Sequence, residues 1–304
     1  MLTILLNALS LLLIILAGYT LKRVGLVKKT DGFILSTIIM TITLPATIII
    51  GLNPMKMSNT FIELCIIAII MNFTLVFLGK YLWKNQPQLD RILLMYCITG
   101  YNIGNFTLPF VQSFYPQAIP YLFMFDVGNC IMLAGGSKIL VESSQPTYQP
   151  NRAIKLLTAT LFSSIPFLTY LFMFILKVTN ITLPSVIINI LEPFSKANGF
   201  LSLLMIGIYM ELLLPKKDWL TVKKILIWRY FFAIILACVF YFILPINNQL
   251  LKIVLTIICL APIPTFSVIN SVEAGVKEET AGFISSISII ISLILMTVVM
   301  LLLT

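Results

Sequence analysis

Two stretches decide how this chain reads: Thr99-Gly100-Tyr101-Asn102-Ile103-Gly104-Asn105-Phe106-Thr107-Leu108-Pro109 and Ala261-Pro262-Ile263-Pro264-Thr265-Phe266-Ser267-Val268-Ile269-Asn270-Ser271. Each lies inside a long apolar run, is interrupted by proline, and is rich in small, hydroxyl or amide side chains. Their surroundings are those of a membrane protein. Of 304 residues, 60% are hydrophobic and 10% charged, whereas a soluble domain carries about 25% charged residues. Such a chain has too little polar surface to cover a water-facing exterior. Soluble enzyme classes are set aside on that ground. The absence of histidine also removes imidazole acid–base chemistry and the commonest metal ligand.

A spanning helix needs about 20 mostly apolar residues. Ten runs qualify: 3–21, 31–52, 60–82, 91–114, 118–141, 153–178, 184–213, 222–246, 249–272 and 279–303. Lipid offers no partner for exposed backbone groups and no run alternates with strand period, so all ten are expected as helices. No basic residue precedes the first run, while Lys22, Arg23, Lys28 and Lys29 follow it, which argues against a cleaved signal peptide. Sixteen of the 20 basic residues fall in the loops after odd-numbered runs or at adjoining helix ends, three on the opposite side, and Lys196 within a run. The positive-inside rule then puts those loops in the cytoplasm and both termini outside. The net charge of +9 is therefore read as an orientation signal, and nucleic acid is excluded as a partner.

The longest polar stretch, 143–152, divides the chain into repeats at 1–142 and 153–304. Five runs per half force the halves into opposite orientations, the arithmetic of an inverted repeat, with the two quoted stretches as runs four and nine. A proline inside a helix removes a donor and displaces a carbonyl, so each run is expected to break. A single such proline reads as a kink, and Asn or Ser as interhelical bonding. A matched pair in corresponding runs reads as a transporter binding site. Freed helix N-termini present N–H groups and positive dipole ends, so an anion finds donors there without lysine. Asn102, Asn105, Thr107, Pro109, Pro262, Pro264, Thr265, Ser267 and Asn270 are the substrate-site candidates.

At these residues the chain resembles the auxin efflux carrier family, which includes bacterial malate-permease-like proteins. Asn102 to Pro109, followed by Phe114-Tyr115, is similar to that family's fourth-span signature. Leu44-Pro45, Leu183-Pro184, Gly207-Ile208, and Pro262 with Glu273-Ala274-Gly275 are further landmarks, in order along the whole chain. The resemblance implies ten helices in two repeats with crossing broken helices, carrying small organic anions such as malate. It puts Asn102 and Pro109 on the crossover asparagine and proline of span four, and Pro262 on the ninth-span proline. It also implies a crossover core of spans three to five and eight to ten, rocking against spans one, two, six and seven. Where plant members carry a second ninth-span proline this chain has Ser267, and it lacks their long central loop.

An ionisable residue inside a span is a functional hypothesis, since a charge there costs about 2.5–3.5 kcal/mol on insertion scales. Asp126 lies about 12 Å into span five, with Asn129 on the same helix face, and the two are read as a proton-coupling pair. Lys196 in span seven is read as a counter-charge for substrate or a stand-in for a coupling cation. The alternative is a structural ion pair with Glu192, spaced i, i+4, or with Asp126. Gly135-Gly136 is read as a close helix contact. Five scattered cysteines without a CxxC pair fit small apolar side chains. No nucleotide-binding or catalytic-serine motif occurs.

The expectation is thus an all-α polytopic carrier of the cytoplasmic membrane, neither an enzyme nor a cofactor protein. Its partners would be a small organic anion, H+ or Na+, and the lipid bilayer, with a homodimer left open. The alternatives are a sodium- or proton-linked carrier of another solute in the same architecture, and a non-transporting sensor or structural subunit.

Overall fold

The computed structural model describes residues 1–56, 58–143, 149–213 and 218–303, and every regular element among them is helical. The chain starts with α1 (Leu2–Arg23), α2 (Gly32–Ile38), α3 (Leu44–Leu52) and α4 (Asn59–Leu82). There follow α5 (Gln88–Ile98), α6 (Leu108–Phe114), α7 (Ile119–Ile131) and α8 (Ser137–Glu142). The second half holds α9 (Pro150–Ser163), α10 (Ile165–Val178), α11 (Ser185–Tyr209) and α12 (Trp219–Cys238), then α13 (Gln249–Cys259), α14 (Thr265–Glu273) and α15 (Glu278–Leu303). All ten apolar runs carry helix. Among the described residues, six helical stretches are long and apolar enough to cross a membrane, or seven if a bent pair counts as one crossing. The outer faces are themselves apolar. Leu5, Leu9, Leu13 and Leu16 of α1, and Ile62, Ile66, Ile70, Phe73 and Phe77 of α4, are exposed in helical register. Faces of that composition belong in hydrocarbon, and the chain is a multi-pass helical membrane protein.

The runs outside the six depart from straight spans for physical reasons. α11 is 25 residues long, but Asn189, Glu192, Lys196 and Asn198 dilute its hydropathy. The run at 153–178, expected as one helix, is bent by 74° between α9 and α10. Pro166 has no N–H to continue the ladder, and the Ser164 side chain accepts instead from the Phe167 N–H at the start of α10. Runs four and nine are broken outright, at 99–102 and at 260–264.

Two prolines of the first half, Pro45 and Pro109, are placed in the same way. Thr43-Leu44-Pro45 and Thr107-Leu108-Pro109 each follow a five-residue π-turn, Ile39–Thr43 and Ile103–Thr107. The proline then occupies the first turn of the next α-helix, where its missing donor costs least. Pro109 therefore does not break its run, contrary to expectation. The break lies upstream at Gly100, whose φ of +74° favours glycine. A Cβ there would also lie 2.7 Å from Leu133 Cδ2 and from Pro264 Cγ.

Two packed groups of helices emerge. In one, α11 lies against α1, α2 and α3, and α10 against α3. In the other, α4 packs on α7 and α5, while α12 and α13 pack together beside α5 and α7. α1 and α11 touch through Gly18 and Gly207, where a Cβ on Gly207 would lie 2.0 Å from the Ile15 carbonyl oxygen. Small residues are what allow backbones this close in lipid. Gly135 makes the expected kind of contact, with Leu157 of α9 against it. Residues 144–148 of the linker and Lys216 and Lys217 lie outside the described residues.

Gly207→Leu should push α1 from α11 and cost about 1–3 kcal/mol, the usual range for overpacking. The detergent-solubilised variant is expected to melt several degrees lower. Leu9→Ala, on the exposed face of α1, should leave melting nearly unchanged.

Candidate functional site

Where runs four and nine break, their extended segments cross and bond. The Asn102 N–H donates to the Pro262 carbonyl at 3.0 Å, tying the two breaks together. Inside a membrane each remaining backbone group also needs a protein partner. Those partners can be followed almost atom by atom. The Gly100 N–H donates to Asn72 Oδ1 at 2.6 Å, from α4. Asn129 of α7 brackets Tyr101, accepting its N–H at 3.2 Å and donating to its carbonyl at 2.9 Å. The Asn102 carbonyl accepts from both the N–H and the hydroxyl of Thr107. In run nine the Ile263 N–H donates to Ser288 Oγ of α15 at 2.8 Å, and the Pro264 carbonyl accepts from the Ser267 N–H.

The carbonyls that end α5 and α13 are gathered by one side chain, Arg229 of α12. Its Nη1 donates to the carbonyls of Cys97 and Thr99, both at 3.1 Å, and its Nη2 to those of Gly100 at 2.9 Å and Ala261 at 2.7 Å. The guanidinium lies 5.5 Å from the centre of the Tyr101 ring, and the residue is 2% exposed. Arg229 is one of the sixteen basic residues grouped with the loops and adjoining helix ends, beside the loop before run eight. It stands instead seven residues into that span, about 10 Å at 1.5 Å per residue. The same depth arithmetic singles out Asn72, twelve residues into span three, so both residues were accessible to sequence reasoning. Tyr170 and Ser288 carried no such signal, because tyrosine and serine are ordinary in membrane helices.

On one side of the crossing lies a cavity of about 280 Å³. Among the expected residues, Asn102, Asn105, Pro264, Thr265, Asp126 and Asn129 line it, with Tyr101 beside them. A second space of about 270 Å³ shares Asn102, Thr265 and Tyr209 with it and reaches Lys29 and Glu278. The first helical turns of 103–114 and of α14 border the cavity; the Ile103 N–H is taken by the Tyr101 carbonyl and the Ser267 N–H by that of Pro264, while the N–H groups of Gly104, Asn105, Thr265 and Phe266 precede the first intrahelical bonds. Two polar atoms of the lining are also buried and unpartnered: the Tyr101 hydroxyl and Asn105 Oδ1.

Asp126 is 5% exposed and held from two helices. Its Oδ1 accepts from Asn129 at 2.9 Å and its Oδ2 from the Tyr170 hydroxyl of α10 at 2.8 Å. α7 and α10 belong to different packed groups, so this bond joins them at the cavity wall.

Other expected residues lie elsewhere. Pro109 is buried against Gly199, Pro262 contributes its carbonyl to the crossing, and Ser267 is buried in α14. None of these three, nor Asn270, lines the cavity; Thr107 serves the backbone. Lys196 does not reach the crossover. It is ion-paired with Glu192 at 2.8 Å, and their side chains are 73% and 50% exposed. The i, i+4 pair is complete within one helix, which is the structural alternative weighed for it.

Asn129→Leu removes both partners of Tyr101 and one of Asp126. Leaving buried polar groups unsatisfied costs about 1–3 kcal/mol each. The variant should melt well below the parent, and Asn129→Gln should recover part of the loss.

The sequence matches no model of a known protein family. No curated protein matches it either.

Proposed function

We propose that the chain is a secondary carrier of a small organic anion, a carboxylate such as malate, working by alternating access around the crossover of runs four and nine. The observation that carries this reading is the convergence of two half-helix starts on one cavity, beside two unpartnered polar atoms. Each start brings about half a positive charge, and N–H groups aimed at a ligand favour a carboxylate. The cavity's other polar groups are amides and hydroxyls, which suit a small solute fixed by a few contacts.

On this reading the ten runs are ten crossings in two inverted repeats, with both termini outside the cytoplasmic membrane. The pattern of backbone partners supports the repeat. Asn129 of run five serves the break in run four as Ser288 of run ten serves that in run nine. α1 packs on α11 and α10 on α3, the pairings of runs one with seven and six with two that inversion exchanges. The resemblance to the auxin efflux carrier family belongs to this proposal, as does the division into a moving core and a scaffold. Lys29 joins Glu278 at 2.8 Å and Glu211 at 3.2 Å where the second space reaches the basic end of the bundle. A cavity open there faces the cytoplasm in the proposed orientation. Asp126, bonded across the two packed groups, is the coupling residue: protonation removes the charge that holds Tyr170.

The test is uptake by purified protein in liposomes. A panel of mono- and dicarboxylates should include at least one that is carried and saturates. Asn102→Ala and Thr265→Val should each weaken apparent affinity about tenfold, the loss of a hydrogen bond to a charged group. Lys196→Gln should leave affinity unchanged. Flux of none of these anions would sink the carrier reading.

Asp126→Asn keeps the shape and removes the titration. Uptake by the folded variant should lose its pH dependence or stop. Parent-like transport at every pH would remove Asp126 from coupling.

A further inference from the structure

The carrier reading leaves one charge unexplained. Arg229 is buried at the crossover, and no ion pair among the described residues includes it. Asp126, the carboxyl that lines the cavity, is engaged by Asn129 and Tyr170 instead. A charge without a carboxylate in the membrane interior is costly, so something must compensate it.

The compensation comes from backbone. All four oxygens that Arg229 meets are main-chain carbonyls: Cys97, Thr99 and Gly100 at the end of α5, and Ala261 just past the end of α13. Each helix end carries about half a negative charge, so two ends together balance one guanidinium. An oxygen-only set drawn from unwound backbone and half-helix C-termini is also what coordinates the coupling sodium ion in carriers with discontinuous helices. Here a side chain from a third helix meets such a set of oxygens. The planar fork explains the choice of residue, because it spans carbonyls on two segments at once, which the compact ammonium of lysine cannot match.

We propose that Arg229 is a resident cation of the crossover, built into the chain where a carrier of this architecture would otherwise bind a coupling sodium ion. It neutralises the two negative helix ends and leaves the two positive ends facing the cavity. The site thereby selects anions without sodium. This assignment rests on the carrier reading for its consequence in transport, but not for its consequence in stability.

Two measurements on the full chain test it. In liposomes, uptake of malate, or of whichever carboxylate the panel identifies, should change less than about twofold when choline replaces sodium, since no site awaits the ion. Arg229→Ala should lose more than about tenfold in uptake and melt lower, because four carbonyls lose a charged donor. Both defects should be partly restored by guanidinium chloride at low millimolar, non-denaturing concentration, or by sodium, either of which can enter the vacated position. Arg229→Lys should fall between the variant and the parent. Sodium-dependent uptake by the parent would overturn the proposal, and it decides the matter if Arg229→Ala does not fold. A folded Arg229→Ala with parent-like uptake and no added cation would also overturn it, as would failure of both cations to restore its melting. If no carboxylate is carried at all, the carrier reading falls, while cation-dependent melting of Arg229→Ala still reports on the resident cation.

Discussion

Everything at the centre of this protein follows from the hydrogen bond between the Asn102 N–H and the Pro262 carbonyl. Two polypeptide segments without helical hydrogen bonds meet there, in a protein whose exterior is hydrocarbon-like. Lipid partners none of their donors or acceptors, and each buried group left alone would cost about 1–3 kcal/mol. The fold answers by surrounding the crossing with side chains that duplicate backbone chemistry. Two asparagines, a serine and an arginine, from four helices, take the bonds a continuous helix would have made. The helices that carry these residues must hold their register, and so the tight packing of α4 on α7 serves the crossing directly. There a Cβ on Gly128 would lie 2.2 Å from the Cys65 carbonyl oxygen.

The polarity of the site has the same origin. Breaking a helix creates one negative and one positive end, and two crossing breaks create two of each. The negative ends face Arg229 and the positive ends border the cavity. Sorting the ends in this way converts a neutral arrangement of backbone into a surface that favours anions. Asp126 is the opposing charge at the cavity wall, and its bond to Tyr170 spans the two packed groups. The cavity, the arginine that meets the negative ends and the bond between the packed groups thus lie within one small volume.

Much of this was legible in the sequence. Each apolar run carries helix, although only six or seven helical stretches among the described residues are long and apolar enough to cross a membrane. The Pro- and Gly-rich stretches are where two runs break and cross. Both signals depend on local chain chemistry. Asn102, Asn105, Pro264 and Thr265, singled out by their place in the two proline-interrupted runs, and Asp126 and Asn129, singled out by residue type and depth, line one cavity. The failures are equally physical. Pro109 looked like a helix breaker, yet a π-turn places it in a first helical turn, and the break passes to Gly100. Pro166 bends run six by 74°, which its apolar composition concealed. Lys196 seemed deep by residue count, but depth along a helix says nothing about which side it faces, and this residue faces outward. Arg229 was hidden by the same ambiguity in reverse. Its place in the sequence groups it with the basic residues at a helix end, while the carbonyls it binds lie more than 30 residues away.

On the carrier proposal, the cavity at the crossover is the ligand site. Thermal melting of the purified chain, titrated with small carboxylates, addresses it without requiring transport. A ligand that binds only the folded protein raises the melting temperature in proportion to the logarithm of its concentration. At least one carboxylate should raise the melting temperature of the parent and have no effect on Thr265→Phe, whose larger side chain fills the cavity. An equal rise in both proteins would place binding away from the crossover.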